Sequence, residues 1–339
     1  MNTPKILHLY REKLERGLSE VLRDPTLVGE SSRDTDPLYP ILRYHVGLCD
    51  ENGRAVKALG KMLRPSLLLF TTQELGGDLD RAIPAAIALE LVHNFSLIHD
   101  DIQDHDEIRR GRATVWKLIG ISQAINAGDL MYSIAIKNAL LSGVGAAGSI
   151  VDAARAMIEG QGLDLTFEER WVDAQSYIDM IDKKTGALIR CAFRTAGIIA
   201  RVDRAVIDVL TSLGVELGRA FQIRDDLLGV WGNGDVTGKP QGSDIRRKKK
   251  SFPVALARKR SGEEGRSLLE RVYTQERISD RDVADVIALM DSLNVKKSGE
   301  EAVEQHLKEA REYLERLPLS EKGKELMNEL IVYLARREK

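Results

Sequence analysis

The amino-acid sequence predicts an all-α protein built from ten or more mostly antiparallel helices. Alanine and leucine are abundant, while aromatic residues make up only 5% of the chain, a composition that helical proteins often have. Residues 83–98 and 205–228 are long apolar stretches whose length and pattern favour buried helices. The last third of the chain consists of charged segments with amphipathic helical periodicity. Length alone allows one large domain or two. We expect one domain over residues 1–339.

The N-terminal elements follow from local signals. Residues 6–22 have helical periodicity with many charges, which predicts an amphipathic surface helix. Residues 24–40 are rich in Pro, Gly, Ser and Asp and predict a loop, and residues 39–49 predict a second helix. Pro65 suits the first turn of a helix over residues 66–75, because a missing N–H costs little there.

The apolar stretch 83–98 predicts a buried helix that begins near Pro84 and continues into an acidic motif. Asp100, Asp101 and Asp104 follow it directly. On a helix, each residue turns about 100°, so these three carboxylates share an arc of roughly 100°. Like charges this close are tolerable in an apolar setting only if cations bridge them.

A second acidic motif ends the stretch 205–228. Asp225 and Asp226 lie there, and Gln222 lies between them in helical angle. Two acidic motifs on two long helices, far apart in the chain, suggest a deep central cavity with carboxylates on facing walls. Oxygen-only ligands favour Mg²⁺ and argue against zinc, and such an ion commonly takes further ligands from substrate phosphates.

The remaining elements are assigned in the same way. Residues 124–141 predict a buried helix, residues 143–148 a tight loop, and a further helix ends before Gly160. Residues 177–200 predict an apolar helix with a kink near Gly186, where polar residues interrupt it. The predicted elements that complete the chain are a long polar loop over residues 231–253 and helices over residues 280–293, 299–317 and 320–337.

Composition excludes several classes of protein. The formal net charge is −2, so no global bias favours nucleic acid or anionic membrane. The basic run 246–250 stands alone without interleaved aromatic residues, which argues against a nucleic-acid site. Cys49 and Cys191 make no metal-binding pair by spacing. No uncharged apolar run reaches about 18 residues, and the N-terminus has no signal peptide, so we expect a cytoplasmic protein without a transmembrane segment.

A family resemblance rests on ordered motifs between about Gly60 and about Pro253. Asp100-Asp101-Ile102-Gln103-Asp104 is followed by Arg109-Arg110-Gly111, and in these motifs the sequence resembles the trans-isoprenyl diphosphate synthases. The resemblance implies the isoprenoid synthase fold, a homodimer, and three Mg²⁺ ions held between the two acidic motifs and an allylic diphosphate. The implied metal ligands are Asp100, Asp101, Asp104, Asp225 and Asp226.

The same resemblance implies roles for the other site residues. Isopentenyl diphosphate would be bound by Lys61, Arg64, His93 and Arg110. The allylic diphosphate would be bound by Arg109, Lys184, Lys239 and Lys249, the last two on a mobile lid. Thr185 and Gln222 would offer dipoles to the allylic cation. The implied reaction is a 1′-4 head-to-tail condensation.

Two positions bear on completeness and product. The family's second motif usually ends in a third aspartate, where this chain has Gly229, so a complete second metal cluster is in doubt. In the family, the residues four and five before the first aspartate often form the floor that stops chain growth. These are Ser96 and Phe95. One aromatic and one small residue suggest geranylgeranyl diphosphate, with farnesyl diphosphate or a longer polyprenyl diphosphate as alternatives.

Three competing functions remain. A class I terpene cyclase also uses the first aspartate motif, but its second motif is not found here. A head-to-head squalene or phytoene synthase would show a different acidic pattern. A non-catalytic helical subunit would be expected to lose its acidic motifs, and Gly229 is the only hint of such a loss.

Overall fold

The computed structural model describes residues 3–23, 38–232 and 240–336, and within them the protein is all-α, as predicted. The helices of the first half are α1 Ile6–Leu9, α2 Arg11–Val21, α3 Leu38–Val46, α4 Leu63–Glu74, α5 Leu79–Gln103, α6 Val115–Ile119, α7 Ile121–Leu140 and α8 Val144–Glu169. Those of the second half are α9 Ala174–Lys184, α10 Gly186–Ala200, α11 Arg204–Trp231, α12 Ser243–Arg246, α13 Phe252–Arg260, α14 Glu263–Thr274, α15 Asp280–Ser292, α16 Val295–Glu315 and α17 Glu321–Arg336.

The chain divides into two compact units. The first unit comprises Pro4–Ala154 with Cys191–Ile207, and the second comprises Arg155–Arg190 with Asp208–Lys339. In the first unit, α5 packs against α4 and α7. In the second unit, α13 packs against α9, α15 and α16. The unit boundaries fall inside α8, α10 and α11.

Helix α5 is the central element of the first unit, and it begins earlier than predicted. Asp78 caps it, because its side chain accepts a hydrogen bond from the backbone N of Asp80 at 2.8 Å. Pro84 therefore lies inside the helix instead of at its start. The Pro84 carbonyl accepts a hydrogen bond from Asn138 Nδ2 of α7 at 2.7 Å. Burial against neighbouring helices thus overrides the local preference of proline for a first turn.

By length and composition, α5 alone among the described helices could cross a membrane, and 67% of its apolar window is buried inside the protein. The core helix of a soluble protein has the same properties. This helix is therefore weak evidence for a membrane span.

Several predicted boundaries were wrong. The predicted loop 143–148 is helical from Val144, and Gly145 in this helix packs against Ile198, 3.2 Å from where a Cβ would lie. Gly160 likewise lies within α8 and does not follow a helix. The predicted helix 6–22 breaks at Tyr10. Part of the predicted loop 24–40 lies outside the described residues, and its last three residues begin α3.

The predicted interruption near Gly186 is confirmed, since α9 ends at Lys184 and α10 begins at Gly186. A Cβ on Gly218 of α11 would lie 2.8 Å from the Cα of Gly186, so α10 and α11 meet at these two glycines. Close packing therefore explains these two glycines better than flexibility does.

A short antiparallel hairpin after α5 was not predicted. Strand β1 (Ile108–Arg109) pairs with β2 (Arg112–Ala113), and Arg109 lies opposite Arg112. The two turn residues, Arg110 and Gly111, have φ values of 52° and 73°. This left-handed pair is the geometry of a tight two-residue hairpin turn. The turn places three arginines next to the carboxyl end of α5.

Candidate active site

The three carboxylates of the first acidic motif have different environments. Asp101 is buried, and its Oδ1 accepts a hydrogen bond from Arg109 Nε at 2.6 Å. Its Oδ2 is also buried but accepts no hydrogen bond from any residue that the structure describes. Asp100 is half-buried, and Asp104 is exposed just past the end of α5. Burial raises the pKa of Asp101, Asp104 raises it further, and Arg109 opposes both.

That orphaned oxygen bears on whether a metal ion fits. A buried carboxylate oxygen without a donor is costly unless something else approaches it. The first motif supplies oxygen ligands only, and divalent magnesium prefers oxygen ligands. The residues present at the end of α5 therefore fit a magnesium ion. Two further carboxylates, Asp100 and Asp104, stand within three residues of Asp101 on the chain.

The residues predicted to bind isopentenyl diphosphate gather beside this motif in the first unit. Burial holds the pKa of His93 well below its usual range, and the charges of Arg64 and Arg110 lower it further. The Arg110 guanidinium lies against Gly60, 3.0 Å from where a Cβ would stand. Lys61, the next residue, is exposed on the loop before α4. The structure thus brings cationic groups from α4 and the hairpin together beside the neutral His93 of α5, an arrangement suited to an anion.

Sequence reasoning missed two buried residues beside these arginines, Glu90 and His45. Glu90 is buried on α5, where burial raises its pKa and Arg64 and Arg110 oppose that effect. Asn94 Nδ2 donates to Glu90 Oε1 at 3.1 Å. Burial, with Arg110 and other arginines nearby, lowers the pKa of His45 to about 3. Glu90 could have been found, because it is the only acidic residue within the apolar stretch 83–98.

The two predicted product-length residues lie on α5 above this region. Phe95 is buried and packs against Tyr132 of α7, with ring centroids 4.9 Å apart. The His99 ring meets the Phe95 ring edge-on, with the ring centroids 5.8 Å apart. Ser96 Oγ donates to the His93 carbonyl at 2.8 Å. The Phe95 and Tyr132 rings therefore pack against each other between α5 and α7, while the Ser96 hydroxyl bonds to the backbone of its own helix.

In the second unit, Asp226 is fully enclosed by hydrogen-bond donors. Its Oδ1 accepts from Gln222 Nε2 at 3.0 Å and from Lys249 Nζ at 3.3 Å. Its Oδ2 accepts from the Tyr177 hydroxyl and from the Phe252 backbone N at 3.2 Å. Protein donors therefore reach both oxygens of Asp226, and its role as a metal ligand stays a prediction. Asp225, the preceding residue, is exposed.

Two residues predicted to face the allylic cation, Thr185 and Gln222, are joined by a hydrogen bond. Thr185 Oγ1 donates to Gln222 Oε1 at 2.7 Å, and Gln222 continues to Asp226. Lys184 Nζ makes an ion pair with Asp164 of α8. Lys184 is the last residue of α9, and Thr185 lies in the break between α9 and α10. Asp164 is thus the partner that positions Lys184.

Of the two predicted lid lysines, Lys239 lies outside the described residues. Lys249 Nζ lies 3.3 Å from Asp226 Oδ1 and 3.6 Å from Asp244 Oδ2. Burial would lower the pKa of Lys249, but these two carboxylates raise it well above its usual value. Lys249 is therefore a cation held between two acids.

One group of possible metal ligands was not predicted. Among the described residues, the side-chain ligand atoms of Glu216, His306 and Glu309 lie within 4.8 Å of one another. His306 Nδ1 is 2.6 Å from Glu216 Oε2, and Arg219 Nη1 is 3.4 Å from Glu216 Oε1. Because Glu216 is paired with a guanidinium and an imidazole, this group is explained as a polar contact between α11 and α16.

Comparison with known proteins gives consistent findings. The family model described as polyprenyl synthetase matches residues 49–290. The (2E,6E)-farnesyl diphosphate synthase of Mycobacterium tuberculosis is 36% identical over 331 residues, covering 95% of this chain and 92% of that protein. The geranylfarnesyl diphosphate synthase of Aeropyrum pernix is 37% identical over 297 residues, covering 84% of this chain and 92% of that protein.

A solved structure supports the fold. The geranylgeranyl pyrophosphate synthase of Corynebacterium glutamicum, solved in complex with isoprenyl diphosphate and magnesium, superposes with a TM-score of 0.82 at 25% identity. The alignment covers 99% of this chain and all of that chain. The all-α architecture described above is therefore the isoprenoid synthase fold.

Proposed function

The chain belongs to the polyprenyl synthetase family of trans-prenyltransferases, and from that premise we propose that it condenses isopentenyl diphosphate with an allylic diphosphate. The reaction is a 1′-4 head-to-tail condensation, and the product is a trans-polyprenyl diphosphate, geranylgeranyl diphosphate. Relatives named for farnesyl and geranylfarnesyl products mark the alternatives in product length.

One observation carries the proposal. In the first unit, a buried carboxylate oxygen of Asp101, with no donor among the described residues, lies at the end of the helix that also carries His93. Arg64 and Arg110 stand beside that histidine. An acidic site that fits a divalent cation, next to a cationic site that fits an anion, is what a magnesium diphosphate and a second diphosphate require.

Isopentenyl diphosphate would be held by Lys61, Arg64, His93 and Arg110. The lowered pKa of His93 keeps its imidazole neutral at neutral pH, so it donates a hydrogen bond without adding charge. The two arginines supply the charge, and their planar guanidinium groups suit the paired oxygens of a diphosphate.

The allylic diphosphate would be held by Arg109, Lys184, Lys239 and Lys249. Magnesium, as three ions in the proposal, would be held by Asp100, Asp101, Asp104, Asp225 and Asp226, and when bound it neutralises the diphosphate leaving group. Thr185 and Gln222 present dipoles to the allylic cation that remains. The double bond of isopentenyl diphosphate attacks this cation, and the released diphosphate accepts the proton that is lost. No side-chain base is therefore needed.

The test is turnover by the purified protein. Labelled isopentenyl diphosphate is incubated with dimethylallyl, geranyl or farnesyl diphosphate and Mg²⁺, with a chelator as the control. Extended diphosphates are the expected products. Hydrocarbons alone would assign the protein to the terpene cyclases, and the absence of turnover in every mixture would assign it to the non-catalytic subunits.

Product length is proposed to depend on Phe95. The change Phe95→Ala removes one ring of the Phe95–Tyr132 pair, so we expect longer products by chromatography. Phe70→Ala, which truncates another buried ring of the first unit, is the control for a destabilised core. Both changes should cost roughly 3 kcal/mol of stability. Identical product lengths in Phe95→Ala and the unchanged protein would remove Phe95 from this role.

The assembly and location are proposed from the family as well. We expect a cytoplasmic homodimer in which each chain is a single domain. Size-exclusion chromatography with light scattering tests the dimer. One cooperative unfolding transition, seen with separate probes in each unit, tests the single domain.

A further inference from the structure

The second acidic motif lacks its usual final carboxylate, and the space above Gly229 is filled by another residue. Asp244 Oδ1 lies 2.7 Å from where a Cβ on residue 229 would stand, and the Asp244 Oδ2 and Cγ lie closer still. Real Cβ atoms do not show such distances, so a side chain at position 229 would require the Asp244 carboxylate to move. A carboxylate thus occupies the place of the missing side chain, although it comes from a different element.

The backbone holds this carboxylate in place. The Gly242 N donates to the Val230 carbonyl at 3.1 Å, and Ser243 Oγ donates to the Gly229 carbonyl at 3.3 Å. The segment that leads into α12 is therefore tied to the end of α11 directly before Asp244. Asp244 itself is largely buried, with a side chain 14% exposed.

The charge of Asp244 also has a defined neighbour. Lys249 Nζ lies 3.6 Å from Asp244 Oδ2 and 3.3 Å from Asp226 Oδ1, and the Lys249 backbone N donates to the Asp244 carbonyl at 2.9 Å. Lys249 is one of the lysines that the proposed function assigns to the allylic diphosphate. Asp244 therefore constrains both the backbone and the ammonium group of a substrate-binding residue.

We infer that Asp244 replaces the missing third carboxylate of the second acidic motif and is a positioning residue that orients Lys249 toward the allylic magnesium diphosphate. The inference rests on the proposed function for the identity of that ligand. It explains how a motif that ends in glycine keeps a third carboxylate, because residue 244 supplies the group that residue 229 lacks.

Moving the carboxylate back to residue 229 tests this inference. Asp244→Ala should lower kcat/KM for the allylic diphosphate about 10–100-fold, while the KM for isopentenyl diphosphate stays within about twofold. The double variant Gly229→Asp/Asp244→Ala should recover most of that loss. The control Gly229→Ala/Asp244→Ala places the same Cβ at 229 without a carboxylate, and it should recover nothing.

A binding measurement keeps the test independent of turnover. Calorimetric affinity for inorganic diphosphate in the presence of Mg²⁺ should fall in Asp244→Ala and return only in the double variant that carries the carboxylate at position 229. If the two double variants behave alike, or if Asp244→Ala changes neither kinetics nor binding, the inference is wrong. If the double variants do not fold, Asp244→Asn, which keeps the shape and removes the charge, must show the same loss of affinity. An inactive wild-type protein would instead defeat the proposed function, and the binding series would still decide the role of Asp244.

Discussion

The two acidic motifs both contain an Asp-Asp pair, but their surroundings are opposite. In the first unit, Asp101 keeps one buried oxygen that no described residue reaches with a donor. In the second unit, Asp226 accepts hydrogen bonds on both oxygens from four protein donors. In the first motif, one carboxylate oxygen of Asp101 therefore lacks a donor among the described residues. In the second motif, protein donors reach both oxygens of Asp226. Identical dipeptides therefore do not indicate identical roles, because the donors that surround a carboxylate decide what it can bind.

The largest predicted effect is a loss of kcat on substitution of Asp101, and it tests the contrast between the two acidic motifs. Asp101→Asn keeps an oxygen for Arg109 but removes the charge that fits a cation, so kcat should fall by roughly 10²–10³-fold. Because the carboxylate is buried and its charge is costly there, the melting temperature should not decrease. Asp80→Asn, at an exposed position of the same helix, is the control. A full-activity Asp101→Asn enzyme would show that the orphaned oxygen has no role in the reaction.

The matching change in the second motif should act on stability. Asp226→Asn removes the charge beside Lys249 and disturbs the Tyr177 hydrogen bond, at a cost of roughly 3 kcal/mol in urea unfolding. This value is at the low end for a broken buried ion pair, because Asp244 remains next to Lys249. Unchanged stability would mean that the four donors do not depend on Asp226, and the contrast with Asp101 would fail.

Burial and the nearby arginines lower the pKa of His45, so the stability of the folded protein should depend on pH. His45 has a pKa of about 3 in the folded protein, against about 6.5 in the unfolded chain, so the unfolded state binds more protons between these values. The stability that the neutral His45 contributes is therefore complete above about pH 6.5 and is lost as the pH falls toward 3. At pH 5, the loss should be about 2 kcal/mol.

Unfolding at pH 7 and pH 5, compared between the wild-type protein and His45→Gln, measures this loss. His8→Gln, at an exposed histidine, is the control and should keep the full pH dependence. Equal losses in His45→Gln and the wild-type protein would show that His45 is not the group that titrates.

The smallest effect sharpens the comparison within the first unit. Glu90 acts on Arg64 and Arg110 without lying in either acidic motif. Glu90→Gln should raise the KM for isopentenyl diphosphate about tenfold and leave the allylic KM unchanged. Glu107→Gln, an exposed acid paired with Lys117 at 2.7 Å, is the control. A change in the allylic KM alone would place Glu90 at the other substrate.

Sequence patterns predicted the elements whose signals are local. The helical stretches around α5, α7 and α11 and the break before Gly186 follow from periodicity, which neighbouring residues carry. The loop predicted at 143–148 was wrong beyond Gly143, because the chain is helical from Val144 and Gly145 packs against Ile198 inside α8. The start of α5 is marked by the capping aspartate Asp78 and not by Pro84, which lies inside the helix.

The site was predicted less completely, for a physical reason. The positions of the acidic and basic residues can be read along the chain, but their hydrogen-bond partners cannot. Tyr177, Lys249 and Phe252 donate hydrogen bonds to Asp226 from three separate segments. The spacing of residues within the motif therefore does not predict these partners. The same holds for Asp244 over Gly229, fifteen residues apart by number and in contact only after folding.

Helix α5 carries both Phe95 and Asp100 on one uninterrupted rod. They are five positions apart, which is about 7.5 Å along the helix axis. In the proposed enzyme, the distance between the diphosphate site and the ring that limits product length would therefore be fixed by this one helix. Moving the bulky ring by one turn would change that measure by about 5.4 Å without altering any group that touches the diphosphates. Such a design lets new hydrocarbon lengths arise in discrete steps while the chemistry stays untouched.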